Sequence, residues 1–366
     1  MKRIIVITLA VLLLSAVILV GCGEPEPAAP TTPTTPTTPT TPTAPEKPIE
    51  LRFATFIPPF DVYAEQMGIW AQELEAATDG RITVTFYHAE SLVKMPDLLN
   101  AVDAGTADFA MIDANMTPER LALSGVMTLP MLFKSGSQAQ QTMWALLEKY
   151  KEFRDEYYPS KVIWCHNPGP TQLCGTKPMT NLEELEGIKI AVVTPWEAMS
   201  LTELGMTPVS MGPTEMYTAV ERVVVDAASG DFNQDFIWKI YEITKYRTGN
   251  VDITQRVSPI IMNIETYENL PADLKGIFDE VTDGLTRSKV VGEAYDAFDA
   301  FTTEEIKKHD ETVGNPPFYY LPDAEKQKWL EKVLPVRDKW VNEMEAKGLP
   351  GKAMLEDLIK FAEQYK

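Results

Sequence analysis

Histidine, cysteine and positive charge are all scarce in this chain, and each scarcity removes a class of function. Only three of its 366 residues are histidine and three are cysteine. His88, His166 and His309 are scattered, without the spacing that a zinc site or a Ser-His-Asp triad needs, so no metal, catalytic residue or cofactor is expected. Basic residues number 33 against 53 acidic ones, a formal charge of −20. Phosphate contact requires a basic face, so nucleic acid is excluded as a partner. Acidity of this degree speaks to solubility rather than to fold. Internal repeats are also lacking.

The chain does contain one long apolar run, at its start. Lys2 and Arg3 precede Ile4 to Val20, and Leu19-Val20-Gly21-Cys22 ends the run with the pattern of a bacterial lipobox. These residues (1–22) read as a lipoprotein signal peptide, with Cys22 as the lipid attachment point; an uncleaved anchor is the alternative. Two or more acyl chains on that cysteine would hold the protein stably at a membrane, on the extracytoplasmic side. Losing Lys2 and Arg3 with the signal takes the charge from −20 to −22.

Residues 23–48 are dominated by the triplet Thr-Thr-Pro and contain nothing that builds a core. Such a linker prefers extended polyproline II at about 3.1 Å per residue, a stalk or merely tolerated disorder. Of the three cysteines, Cys165 and Cys174 remain. The turn residues between them, Asn167-Pro168-Gly169-Pro170, leave open a hairpin closed by a disulfide or two buried thiols.

From Ile49 the pattern alternates strand and helix. Glu50 to Phe56 reads as a strand, Val62 to Ala77 as a helix with Met67, Trp70, Ala71 and Leu74 on one face, and Arg81 to Tyr87 as a strand. Met95–Ala104 and Asp108–Ile112 continue the series. A second series begins near Lys161 and includes strands at 188–193, 207–211 and Val223–Asp226, then a strand at 255–264 and helices at 271–283 and 286–311. The fold class is therefore α/β, in two lobes, with a long helical C-terminal region.

Several segments together resemble the solute-binding proteins of TRAP (tripartite ATP-independent periplasmic) transporters, over nearly all of residues 50–345. Gly80-Arg81-Ile82-Thr83-Val84 with Tyr87-His88-Ala89-Glu90-Ser91-Leu92 is similar to that family's "G-(R/K)-I-x-V…Y-P-A-x-Q-L", and Leu99 to Ile112 to its "L-x-A-V-x-x-G-T-x-D-(F/M)-A". Leu204 to Met211 with Glu215-Met216-Tyr217 resembles "L-G-A-x-P-V-x-M…E-V-Y", and Tyr241 to Tyr246 resembles "Y-E-V-Q-K-Y". The common order of these patterns carries the resemblance. It implies a two-lobed periplasmic-binding-protein fold, with residues 49–173 and 258–300 in lobe I and 174–257 and 301–366 in lobe II. It also implies a cleft that closes on a small-molecule solute and presents it to TRAP permease membrane subunits.

The same resemblance exposes what is missing. Gly187-Ile188-Lys189-Ile190-Ala191-Val192 matches "G-(I/L)-K-(I/L)-R-V", so Ala191 stands where the family places the arginine that grips a carboxylate. Thr171 and Gly230 replace two further anion-holding groups. Arg222, Arg247 and Arg256 could rescue an anion only if the fold aims one inward, and Arg222 (helix end) and Arg256 (strand) read as surface or structural residues. The expected ligand-binding set is Phe56, Glu90, Asp113, Trp164, Thr171, Gln172, Ala191, Thr194, Trp196, Tyr217, Asp231 and Asn233, with Asp61 an outer candidate. Its aromatic and acidic character suits a neutral or cationic solute first, and an organic acid held by a different arginine second. Other readings are the binding protein of an ATP-driven importer, a sensor, or a hydrolase using Asp113 and Glu90.

Overall fold

The computed structural model describes residues 47–366. The export signal, Cys22 and the threonine/proline linker as far as residue 46 lie outside the described residues. Among the described residues, no helix is long and apolar enough to cross a membrane.

Two sheets divide the chain. Strands β1 (Ile49–Thr55), β2 (Ile82–Tyr87), β3 (Phe109–Met111) and β4 (Ser160–Trp164) belong to the first. The chain then builds β5 (Gln172–Gly175), β6 (Lys189–Val192), β7 (Thr207–Ser210), β8 (Ala227–Gly230) and β9 (Tyr246–Gly249) of the second. It returns to the first as β10 (Ile260–Asn263), and a short β11 (Tyr319–Tyr320) edges the second. The strand orders are β2-β1-β3-β10-β4 and β11-β9-β5-β8-β6-β7. In the first sheet β1 runs parallel to β2 and β3, whereas β10 is antiparallel to β3 and β4. The architecture is α/β in two lobes.

Periodicity explains the elements well. Helix Val62–Ala77 is capped by Asp61, whose carboxylate accepts from the Tyr63 amide, and it buries Met67, Trp70, Ala71 and Leu74 at helical spacing. Trp70 meets Phe53 and Phe109 edge-on, with ring centroids 6.3 and 5.4 Å away, and Trp164 lies 4.9 Å from it. Each such ring removes on the order of 150–250 Å² from water, about 4–6 kcal/mol as an upper bound. This aromatic cluster fixes the first lobe beneath the loops that follow its strands.

Three elements differ from the sequence reading, the first being the expected strand 255–264, of which only Ile260–Asn263 forms one. No hairpin joins β4 to β5: β4 pairs with β10 and β5 with β8 and β9, so residues 165–171 cross from one sheet to the other. Cys165 and Cys174 are consequently in different lobes, and both are buried free thiols. The expected strand Val223–Asp226 is instead a turn closing helix Pro213–Glu221. The Val223 and Val224 amides donate to Val220 and Ala219 carbonyls, Val223 has φ 57°, and β8 starts at Ala227.

Residues 165–171 and 250–259 are the two sheet-to-sheet crossings, and they are bonded to each other. The Thr171 amide donates to the Thr254 carbonyl at 2.8 Å, and the Ser258 amide donates to the His166 carbonyl at 3.2 Å. Helix Gly284–Val313 spans both lobes, packing on helix Gly136–Lys149 in the first and on Phe232–Ile237 in the second. The tail, assigned wholly to lobe II from the sequence, is divided. Trp329 and Val333 of helix Asp323–Ala346 join the second lobe's core, while Trp340 and Met344 of the same helix join the first. Helix Gly351–Gln364 packs on the first lobe, because its Met354, Leu358 and Ala362 face Ala139 and Met143 there.

Candidate functional site

A cavity of about 80 Å³ lies between the lobes, at the ends of strands from both sheets. At roughly 10–15 Å³ per water position this is room for about six waters, the size of a small solute. Phe56 comes from the loop after β1, Asp113 from the end of β3, Val193 from β6 and Asp231 from β8. His166 and Arg256 enter from the two crossings, and Tyr295 from the long helix. Loops after strand ends line clefts in α/β sheets because helix-packed faces leave only the carboxyl edge free.

Three carboxylates face one guanidinium here. Asp61, Asp113 and Asp231 each cap a following turn: their Oδ1 atoms accept from the Tyr63 amide at 2.9 Å, the Asn115 amide at 2.9 Å and the Gln234 amide at 2.8 Å. Asn115 also donates its side-chain amide to Asp113 at 2.8 Å, and the Tyr295 hydroxyl donates to Asp231 at 2.6 Å. All of these bonds run to Oδ1, so Oδ2 of each aspartate carries no protein hydrogen bond among the described residues. Arg256 likewise has no hydrogen bond or ion pair among them.

Burial raises all three carboxyls. Asp61 is pushed up to about 6 by desolvation, partly offset by the Tyr63 amide, with Asp231 adding repulsion. Desolvation also raises Asp113 and Asp231, and the Arg256 charge pulls both back down. Asp299, behind the wall, accepts from the Asn233 amide at 2.9 Å and is raised to about 7, by desolvation first and then by Asp231. His166 is 1 % exposed, and burial lowers its pKa well below the ordinary 6.5, leaving the ring neutral. Both of its ring nitrogens lack a partner, as do Tyr63 Oη, Asn233 Oδ1 and Gln234 Oε1. Tyr63 stacks on Tyr295 with centroids 4.6 Å apart, giving the cavity an aromatic wall.

Of the residues expected from the sequence, Phe56, Asp113, Asp231 and Asn233 line the cavity, together with the outer candidate Asp61. The others lie elsewhere. Trp164 is sealed in the aromatic cluster of the first lobe. Thr171 meets Thr254, and Gln172 bonds Asp252 and the Val251 amide, so both pin the crossings together. Ala191 is fully buried beside Cys174, Met216 and Val220, with Tyr217 packed half-buried on the same group. Thr194 caps helix Pro195–Glu203. Trp196 lines a separate cavity of about 70 Å³ with Asn115 and Glu343. Glu90 pairs with Lys94 at 3.0 Å on the surface.

Arg256 reverses its expected role. It sits in an irregular extended crossing rather than a strand, and it faces the cavity. His166, Tyr63, Tyr295 and Trp238 are additions with no local signal: each is an ordinary aromatic or histidine until the crossings bring the lobes together. Gly230 does have a reason. A Cβ there would come within 2.6 Å of Gln234 Oε1, so its missing side chain makes room for a cavity-lining glutamine. Among the described residues no cluster of His, Cys, Asp and Glu is suited to hold a metal ion.

Residues 53–344 match the model of the bacterial extracellular solute-binding proteins, family 7. A solute-binding protein of Roseobacter denitrificans is 27% identical over 164 residues, covering 43% of this chain and 49% of that protein. The chain thus matches only about half the length of the curated relatives first found. The C4-dicarboxylate-binding periplasmic protein DctP of Rhodobacter capsulatus is 23% identical over 299 residues, covering 80% and 86%. Among solved structures, a TRAP periplasmic solute-binding protein of Desulfovibrio salexigens superposes with a TM-score of 0.78 at 27% identity, covering 87% of this chain and 97% of that one.

Proposed function

Because this chain belongs to the bacterial extracellular solute-binding proteins of family 7, the solute-binding family of TRAP transporters, we propose that it captures a small carboxylate-bearing solute on Arg256 and delivers it to a TRAP permease. The family itself makes it an extracytoplasmic binding protein and not an enzyme. One observation carries the ligand reading. Arg256 points into the inter-lobe cavity and has no hydrogen bond or ion pair among the described residues.

Arg256 is half-buried at the cavity and has no protein partner among the described residues, so its planar fork is left to a bidentate carboxylate, the group whose geometry it matches. Ala191 cannot supply that contact, so the grip has moved from β6 to the second crossing. The position suits a closing cleft, because Arg256 lies on the segment that joins the lobes while Asp113 and Asp231 come from one lobe each. A solute bound there contacts both lobes and the hinge, and so favours the closed arrangement. The ligand site of the Desulfovibrio salexigens relative held the C-terminus of a neighbouring molecule. A chain terminus carries a carboxylate, which is consistent with acid recognition at this place in the fold.

Lipid attachment at Cys22, with residues 23–48 as a stalk, would keep such a collector near its permease. The lobe division read from the sequence, 49–173 with 258–300 against 174–257 with 301–366, is offered here with one change. The segment beyond Trp340 moves with the first lobe, since its core contacts lie there.

Thermal-shift screening of the full chain against small metabolites tests the proposal, because a ligand specific to the folded state raises the melting temperature by mass action. Hits should carry a carboxylate, and Arg256→Gln should abolish their shift. Hits without any carboxylate, or a shift that survives Arg256→Gln, would refute it.

A further inference from the structure

Charge balance in the cavity does not stop at the carboxylate grip. A solute anion on Arg256 would leave Asp61, Asp113 and Asp231 facing it with one guanidinium for three carboxyls. Like charges gathered in one cavity oppose one another, so a simple acid would bind against its own surroundings. A simple cation fails for the converse reason, since it leaves Arg256 unpaired.

Resting on the carboxylate reading above, we propose that the solute is a zwitterion, its carboxylate on Arg256 and its cationic nitrogen against Asp231 and Asp61. The three aspartates are not equivalent. Asp113 receives two bonds from Asn115, at 2.9 and 2.8 Å, and Asp231 two from Gln234 and Tyr295, so it is the unpaired acceptors next to Asp231 that set it apart. Asp61 receives only the Tyr63 amide, and Asp231 keeps its Oδ2 free of protein donors.

Independent of the acidic cluster, unpaired polar atoms point to the same group. Asn233 Oδ1 and Gln234 Oε1 are buried acceptors without donors, on the helix start that Asp231 caps. Asn233 is 3 % exposed and His166 1 %, and both line the cavity. An ammonium brings N–H donors to acceptors that have none, whereas a carboxylate would bring more acceptors.

The test is calorimetry on the full chain with matched triplets: a small amino acid or betaine, the carboxylic acid lacking its nitrogen, and the amine lacking its carboxylate. In the best-binding triplet the zwitterion should exceed both partners by about tenfold or more, one good charge-assisted contact. Asp231→Asn should shrink the preference for zwitterion over acid, with Asp61→Asn as the second variant should the first fold poorly. If the acid binds as tightly as the zwitterion and Arg256→Gln abolishes both, the zwitterion inference falls and the carboxylate reading stands. If the amine binds best and Arg256→Gln leaves it unchanged, the carboxylate reading falls as well.

Discussion

Arg247 and Arg256 are nine residues apart in the sequence and face opposite situations. Arg247, on β9, is sealed within the second lobe, 2.9 Å from Asp310 and 3.5 Å from Asp235, and donates to the Tyr241 carbonyl at 2.8 Å. Its charge is answered inside the protein. Arg256, on the crossing, shares its cavity with carboxylates yet bonds none of them within the described residues. The contrast teaches how to tell a structural charge from a waiting one. Arg247 is withdrawn from water with its partners supplied by the chain, whereas Arg256 is half-buried at the cavity without them.

The comparison can be broken in four ways. The largest effect belongs to Arg247→Leu, which strands two buried carboxylates and should cost about 3–5 kcal/mol in urea unfolding. Affinity for solute should be untouched in the fraction that remains folded.

Ala191→Arg places a third arginine in the packed group of Cys174, Met216 and Val220, where Asp235, bonded to Cys174, already answers Arg247. Overpacking and an unanswered charge should cost about 3 kcal/mol there without creating dicarboxylate binding, as urea unfolding and calorimetry would show. If instead it binds succinate tightly, the inward direction of β6 has been misread.

Arg256→Gln reverses the first pattern. Affinity for the carboxylate solute should fall about 100-fold, some 2.7 kcal/mol, while stability moves by less than about 1 kcal/mol. Paired calorimetry and unfolding curves measure both quantities. A large loss of stability would make Arg256 another Arg247.

The last effect is a pH difference. The Asp61 carboxyl is raised from 3.8 to about 6 in the folded chain. The folded state therefore holds its proton where the unfolded state has released it, and stability is lost as pH rises between those values. Asp61→Asn keeps a capping side chain but removes the titration. Its stability relative to the parent should climb from about pH 4 to about pH 6 and stay level above, by up to about 3 kcal/mol. Melting temperatures of the two proteins across that range provide the check.

Local patterning explains why so much of the fold was legible. Helix Val62–Ala77 and its buried face follow from apolar spacing and the Asp61 cap, and β1, β2 and β6 from short β-rich runs. The failures have a common physical origin. Asn167-Pro168-Gly169-Pro170 reads equally as a hairpin turn or as a crossing, because turn residues specify a bend in the chain but not which sheet receives the next strand. Val223 to Val225 looks like a strand by composition, yet the helix before it needed residues to close its last carbonyls. Trp164, Thr194 and Tyr217 sit close to the cleft in sequence and point into packing or a cap instead.

The site divides in the same manner. Phe56 and Asp113 were readable because each comes just after a strand that the sequence shows, and strand ends in an α/β sheet open onto the cleft; Asp231 was expected on a loop and instead follows β8 directly. By itself the sequence determined the α/β pattern, the family frame and the absence of an arginine at position 191. Only the tertiary structure decided that Arg256, His166 and Tyr295 meet those aspartates. A side chain's direction on an irregular crossing depends on how two lobes close around it, which no local periodicity encodes.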